Sequence, residues 1–509
     1  MIERILLLDI DYDIEDGEES KLHARWSHHP LGLMYLASAV REKLPDIQFK
    51  IFHTTTSPHS TQGITDILDD FKPDLVGFRS LSLYQSQFKK FTTLVRDKAP
   101  EALLIGGGPY SSVSYREILK GGYVDLIVYG EGEVTFTELV AWLNEHGELP
   151  TDMAGTVVGI GGEVRKNPPR PLIPDLDTIA WPDLDLINLD DYEGISNHAF
   201  QSASESAFIE SSRGCPYRCF YCHIAREKTT RNRSPENVAD EMEAIYQSKG
   251  IKDFVFVDDI FNVPKKAGKE TLRLIAKRLP GVRINFPNGL RADQLDLEFL
   301  DLLEEVGTVH LALAVESASP RLQKLMGKHL RLDLAKEMIH EASKRFITCG
   351  FFMVGFPSET REEAQATIGF AKDMMHMAQP ILSVVRVFPG TVLYSHLDPT
   401  PEEALRVERQ TAQSCYTGLK KDIDYYGDIF PKEKVPLRTE DIREFRWEWI
   451  RDVMMNKERV RNSYQVMKKF FTEEQIVEFN KNLFDNENFN IDLLYSYMGE
   501  KPPRKKKVA

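Results

Sequence analysis

An α/β chain of three parts is predicted: a doubly wound, mostly parallel sheet, then an open partial (β/α) barrel of six units, then a mainly helical C-terminal region. Two runs of strand–helix alternation predict it, one on each side of a stretch rich in Pro and Asp. The third observation is a change after about residue 400 to charged, aromatic-rich segments of helical period.

Residues 1–150 open with ERILLLDI, a continuous apolar run of the kind buried on both faces. PLGLMYLASAVREKL follows with helical spacing. IQFKIFHT, DLVGFRSL, EALLIGGG and VDLIVYG are further short strands with helical stretches between them, and a last helix begins near Glu133. Five βα units make a Rossmann-like doubly wound fold, whose ligand edge lies beyond the strand C-termini at the topological switch point. Residues 151–204 hold TVVGIGGEVRK, a hairpin turning at Gly161-Gly162, and then a linker of little periodicity. Alternation resumes over residues 205–395 with AFIES, DFVFVDD, RINFPNGL, TVHLALAVES, ITCGFFMVGF and ILSVVRVF. Six units suit a partial barrel, in which working residues sit at the C-terminal ends of strands. Residues 396–509 form the helical region.

The 509 residues carry 64 Lys and Arg against 78 Asp and Glu, a net charge of −14. Such a surface repels nucleic acid and anionic membrane. No apolar run reaches bilayer length, so no transmembrane segment is expected. MIERILLLDIDYD reads as a first strand, not a signal peptide. Five cysteines, an odd number, do not make a secreted disulfide framework, and a reducing cytoplasm is the expected location. The basic end PPRKKKVA reads as a solvated tail.

Residues 211–222, SSRGCPYRCFYC, hold three of those cysteines: Cys215, Cys219 and Cys222. A structural zinc ion wants four ligands, and only the adjacent His223 offers a fourth. A cubane 4Fe-4S cluster has another logic: three irons take thiolates and the fourth stays open for an external ligand. The loop follows a strand and contains Gly214 and Pro216, an active-site position in a barrel. Arg213 and Arg218 supply cations that suit a thiolate cluster. Of the other two cysteines, Cys349 reads as core. Cys415, in a polar helical stretch, reads either as inert or as a hydrogen donor to a radical.

GCPYRCFYC closely resembles the cluster loop of radical S-adenosylmethionine enzymes. VFVDDIFN, LALAVESASPRLQKLMGK, FFMVGFPSETREE and VFPGTVLY resemble later strand ends of the same barrel, over about residues 205–395. HHPLGLMYLASAV, LIGGGPYSSVSYREIL and YGEGEVTFTEL resemble landmarks of the cobalamin domain that precedes this barrel in the cobalamin-dependent subgroup.

The resemblance implies that Cys215, Cys219 and Cys222 ligate a 4Fe-4S cluster whose open iron is chelated by S-adenosylmethionine, and that reductive cleavage yields a 5′-deoxyadenosyl radical. Tyr221 matches the aromatic beside the adenine, or else packs against the loop. One of Asp258 and Asp259 accepts from the methionine ammonium while the other caps the next helix, because alternation sends them to opposite faces. Glu316 and Ser317 match the pair on the ribose side. Glu316 is costly at the end of an apolar strand without a partner, and an ion pair with Arg291 is the alternative. Arg291 otherwise contacts a cofactor carboxylate. In the first domain, Gly106, Gly107 and Gly108, and then Gly130, Glu131 and Gly132, end strands and let backbone approach cobalamin. Ser80 and Ser82 reach the corrin or its nucleotide tail. No DxHxxG is present, so cobalt is expected to have water or no protein ligand below. His23, His28 and His29 read as surface or helix-entry residues.

The function expected on this basis is methylation of an unactivated carbon of a small-molecule, lipid or tetrapyrrole substrate, with a flavodoxin or ferredoxin as electron donor. Cyclisation, rearrangement or oxygenation with the same cofactors is the alternative outcome. The aromatics Tyr425, Tyr426, Phe445, Trp447, Trp449, Tyr464, Phe470 and Phe471 line a substrate pocket or form the core of a helical cap. Methylthio transfer to transfer RNA is excluded, because no cysteine precedes Cys215 to hold a second cluster. A non-enzymatic iron–sulfur carrier would close its cluster with a fourth cysteine. A corrinoid-binding module would not need Asp258 and Glu316.

Overall fold

The computed structural model describes residues 1–11, 27–57, 59–196, 202–222, 229–413, 425–483 and 491–498. His23, His223 and Cys415 lie outside them, as does most of the first loop. The chain divides into two units, residues 1–208 and 209–509. Among the described residues no helix is long and apolar enough to cross a membrane.

The first unit runs β1 (Arg4–Ile10), α1 (Leu31–Lys43), β2 (Gln48–His53), α2 (Ser60–Phe71), β3 (Leu75–Ser80), α3 (Gln85–Lys98), β4 (Leu103–Gly107), α4 (Gly108–Val113), α5 (Tyr115–Lys120), β5 (Leu126–Val128), α6 (Gly132–His146), β6 (Thr156–Ile160) and β7 (Glu163–Lys166). The sheet order is β2-β1-β3-β4-β5-β6-β7, parallel through β5. The predicted hairpin turns at Gly161-Gly162 and extends this same sheet, with β6 antiparallel to β5. The apolar run of β1 is sorted by strand alternation. Leu6, Leu8 and Ile10 join the core that includes Ile64, Phe88 and Phe91 of α2 and α3. Ile5 and Leu7 join the opposite core with Ala37 and Phe136 of α1 and α6. Burial on both faces is what a central parallel strand requires. The order reverses between β1 and β3, which is the switch point.

The second sheet has the order β15-β14-β13-β12-β11-β8, six strands, as the alternation predicts. They are β8 (Ser206–Ile209), β11 (Asp253–Phe256), β12 (Arg283–Leu290), β13 (Thr308–Glu316), β14 (Ile347–Val354) and β15 (Gln379–Val384). A short pair, β9 (Ser212–Arg213) and β10 (Arg231–Asn232), flanks the cysteine loop. The connecting helices are α7 (Pro235–Lys249), α8 (Lys265–Arg278), α9 (Leu297–Glu305), α10 (Pro320–Leu325), α11 (Leu332–Arg345) and α12 (Arg361–Lys372). Then follow α13 (Val392–Leu397), α14 (Pro401–Gln413), α15 (Thr439–Glu448), a π-helical turn (Trp449–Met454), α16 (Lys457–Met467), α17 (Glu473–Leu483) and α18 (Ile491–Met498).

The C-terminal aromatics divide. Phe445, Trp449 and Tyr464 are buried, and Trp449 tilts against Phe352 of β14 at 5.2 Å. Tyr425 and Tyr426 both donate to the carbonyl of Gly355, at 2.9 and 2.7 Å. Phe470 and Phe471 are half-buried, and Trp447 is 65% exposed. Most of the set is therefore core of the helical layer.

Candidate functional site

The cysteine loop leaves β8 and is tied at several points. Gly214 has φ 86°, a left-handed conformation that glycine adopts freely. Asp259 accepts a hydrogen bond from its N–H. Phe220 N–H donates to Met326 O at 2.9 Å, and Leu393 N–H donates to Phe220 O at 2.8 Å. Gly327 fits closely against the loop, since a Cβ there would stand 2.7 Å from Arg218 O. The three cysteines are half-buried and in no disulfide. Among the described residues no three His, Cys, Asp or Glu side chains converge on a single metal ion. Burial pushes the Cys219 thiol up; Lys328 and a hydrogen bond from Tyr221 oppose it.

Tyr221 packs against Phe356 with centroids 5.7 Å apart and donates to Cys219. Arg291 and Glu316 do not pair with each other. Glu316 accepts from Lys328 Nζ at 3.0 Å. Arg291 bonds Asp293 through Nε at 2.7 Å, and Lys328 O and His329 O at 2.8 Å each, while its guanidinium lies 3.8 Å from the Tyr217 ring centroid. Every guanidinium nitrogen is thus engaged within the fold. Arg291 thereby bridges the Lys328 turn and the cysteine loop. Glu316, at the end of β13, has φ 67°. A non-glycine residue there stores about 1–3 kcal/mol of strain, which clusters at functional sites.

Asp258 and Asp259 lie beyond the end of β11 and both accept from the loop that leads to the cysteines, and neither caps a helix: α8 starts after Pro264, with no side-chain cap. Asp258 Oδ1 accepts from the Ser211 N–H at 3.1 Å and from the Ser211 and Ser212 hydroxyls at 2.7 and 2.5 Å. Oδ2 is buried with no partner. Burial raises this carboxyl to about 6, against the hydrogen bonds from the two serines. Ser317 turns away from Glu316, and its hydroxyl is shared with Thr367 of α12 at 3.3 Å and accepts from Ser319 N–H. Glu359, which the sequence did not single out, is fully buried. It accepts from Gly355 N–H and Phe356 N–H, and burial raises it to about 8. A carboxylate two residues beyond the Gly-Phe-Pro that follows a strand was the available signal.

The first unit gathers its own edge. Asp9 and Arg79 are register partners across the switch point and are joined at 2.8 Å. Asp11 is half-buried, and the hydrogen bond and charge of His53 outweigh desolvation and hold it down to about 2. His53 also reaches Tyr192 at 3.2 Å. The sequence reading missed these groups, although DID at the end of the first strand marks them. Ser80 is buried and donates to Leu81 O, and Ser82 opens a turn (Ser82–Tyr84). The two glycine sets divide by space. A Cβ at Gly107 meets nothing nearer than 3.8 Å, and one at Gly130 nothing within 4 Å, so both border open room. Gly106 and Gly132 instead face Ser111 and Leu36 closely and serve packing. Gly108 abuts Arg79 Cγ. Glu131 accepts from Ile173 N–H. His29 does enter a helix, but it is fully buried rather than on the surface: Nε2 donates to Ala203 O at 2.9 Å, and burial drops it to about 3.

Two family models match the chain: the radical SAM superfamily over residues 209–371 and the B12 binding domain over residues 22–140. An uncharacterized methyltransferase of Pyrococcus horikoshii is 31% identical over 373 residues, 72% of this chain and 78% of the relative. The anaerobic magnesium-protoporphyrin IX monomethyl ester cyclase of Rubrivivax gelatinosus is 26% identical over 62% of this chain and 57% of its own length. Among solved structures, the radical S-adenosylmethionine methyltransferase TsrM from Kitasatospora setae, with cobalamin and a [4Fe-4S] cluster bound, superposes with a TM-score of 0.63 at 19% identity. That match covers 77% of this chain and 74% of TsrM. With the two domain matches in sequence and a relative that spans most of both, the chain belongs to the cobalamin-dependent radical S-adenosylmethionine enzymes.

Proposed function

We propose that this enzyme methylates an unactivated carbon of a small-molecule substrate. The observation that carries the reading is a three-thiol loop ringed by uncommitted carboxylate capacity: a buried, partnerless Asp258 Oδ2 and a strained Glu316 held by one lysine. Cys215, Cys219 and Cys222 would hold the cluster. Asp258 Oδ2 suits the ammonium of S-adenosylmethionine, because a cation supplies the partner that the burial of this oxygen demands. Glu316, beside Lys328, suits a ribose hydroxyl. In the first unit, the open room at Gly107 and Gly130 would admit cobalamin, with Ser80, Ser82 and Gly108 on the same edge. When bound, these cofactors supply a 5′-deoxyadenosyl radical and a transferable methyl group. The chain's own residues orient them: Arg291 braces the loop through Tyr217, and Asp259 fixes it at Gly214. A cytoplasmic setting and an electron donor of the flavodoxin or ferredoxin class complete the reading.

Methyltransferase similarity favours methylation. Similarity to the cyclase favours ring closure on a tetrapyrrole as the second reading. Anaerobically reconstituted protein, given hydroxocobalamin, reductant and methyl-deuterated S-adenosylmethionine, tests them. A retained corrinoid heavier by the deuterated methyl supports methylation. A retained corrinoid without it, alongside 5′-deoxyadenosine, supports cyclisation or rearrangement. No retained corrinoid refutes the cobalamin assignment.

A further inference from the structure

The segment that packs against the cysteine loop is basic. Met326 O accepts from Phe220 N–H, the residue after Cys219, and Gly327 lies against Arg218 O. Around those contacts stand Arg218, Lys324, His329 and Arg331, all exposed. Among the described residues no carboxylate pairs with Arg218 or Lys324. Arg331 shares the single carboxylate of Asp293 with Arg291, so that group retains one positive charge. Three acids oppose the patch. Glu363 and Asp373 are taken up by Arg321 and Lys336, and Asp333 stands exposed. A hollow of about 700 Å³ lies beside Lys324 and His329, with Leu330, Leu332 and Phe370 in its wall. An apolar floor with a charged rim is the anatomy of a recognition surface. The chain as a whole carries −14, so an acidic protein is repelled over most of its surface and attracted here.

We infer that the exposed basic surface from Lys324 to Arg331, which packs against the cysteine loop, is where an acidic one-electron carrier protein docks. The inference rests on the reading of Cys215, Cys219 and Cys222 as cluster ligands. The step it serves moves one electron: the carrier is oxidised by one electron and the cluster reduced by one, with no bond made or broken. One hydrogen bond, Phe220 N–H to Met326 O, links the backbone of the loop to the segment that carries the patch. Electron-transfer encounters use small interfaces, below about 1,200 Å², and depend on charge for their rate.

The test uses the full-length reconstituted enzyme with a reduced acidic flavodoxin as probe and titanium(III) citrate as small-molecule reductant. Formation of 5′-deoxyadenosine and the reduced-cluster resonance are followed. Lys324→Glu should slow flavodoxin-driven turnover about fivefold at low salt, with Lys324→Gln between it and the parent. Raising salt should slow the parent and narrow that gap. Titanium-driven turnover should be unchanged. Lys277→Glu is the control, an equal charge change at the end of α8, the end that leads to the strand N-termini on the opposite rim. Equal flavodoxin rates in Lys324→Glu and the parent, an equal fall in Lys277→Glu, or no reduction of the parent by flavodoxin would overturn the inference. Failure of titanium(III) citrate to give 5′-deoxyadenosine with the parent would instead overturn the cluster reading beneath it.

Discussion

Replacing Arg291 with alanine should loosen the cysteine loop as well as the fold. The side chain is 6% exposed, and Asp293, its partner, is 2% exposed. Arg291 makes two bonds to Asp293 (2.7 and 3.3 Å) and one each to Lys328 O and His329 O. Removing one partner of a buried pair costs about 3–5 kcal/mol, because the remaining charge has lost its compensation. Arg331 remains near Asp293, with its Nε at 3.6 Å and its N–H donating at 3.1 Å, which places the cost near the lower end, about 3 kcal/mol. That is a large part of the 5–15 kcal/mol that holds a domain folded. Urea unfolding of the metal-free chain should show the loss. Anaerobic reconstitution of still-folded protein should give less iron per chain, because Tyr217 has lost its cover. The double variant Arg291→Met with Asp293→Leu removes both charges and should recover about 2 kcal/mol, but not the iron. Parent-like unfolding together with full iron in Arg291→Ala would refute the brace.

Replacing Cys215, Cys219 or Cys222 singly with alanine should abolish the 4Fe-4S absorbance while leaving the far-UV dichroism intact; a variant that keeps full absorbance removes that residue from the ligand set. Glu359→Gln should flatten the pH dependence of stability. The folded carboxyl at about 8 holds a proton that the unfolded one has lost, so parental stability falls from about pH 4.5 to 8 and is level above that; parallel parent and variant curves count against the assignment. Asp258→Asn should do the same between about pH 4 and 6, where the parent loses ~3 kcal/mol, and should also weaken S-adenosylmethionine binding; unchanged binding argues against the ammonium contact. Gly107→Ala suits an extended backbone (φ −147°), and its Cβ meets no atom nearer than 3.8 Å, so it should fold normally yet lose hydroxocobalamin affinity ~10-fold; retained affinity places the corrin elsewhere.

The sequence by itself determined the layout and the chemistry. Apolar runs separated by amphipathic stretches are a local signal, so the parallel strands and their helices were legible, as was the hairpin at Gly161-Gly162. CxxxCxxC is also local: three thiols within eight residues need no tertiary contact to announce an iron–sulfur loop. Partnership is what only the tertiary structure decided. For Glu316, an ion pair with Arg291 at the neighbouring strand end is the alternative that the sequence offers to a ribose contact. The chain instead returns Lys328 to Glu316 and gives Arg291 to Asp293 and Tyr217, contacts set by how a turn folds back and not by strand spacing. His29 reads as a surface or helix-entry residue because nothing local fixes it beside the sheet edge; it does precede α1, yet its ring N–H is taken by the carbonyl of Ala203, far along the chain. Gly107 and Gly132 read alike as sequence, but one borders open space and the other admits Leu36, because a glycine's use depends on what the rest of the fold brings to it. The same holds for Asp258: its burial, its two serine donors and its one unpartnered oxygen arise only when β8 and β11 lie side by side.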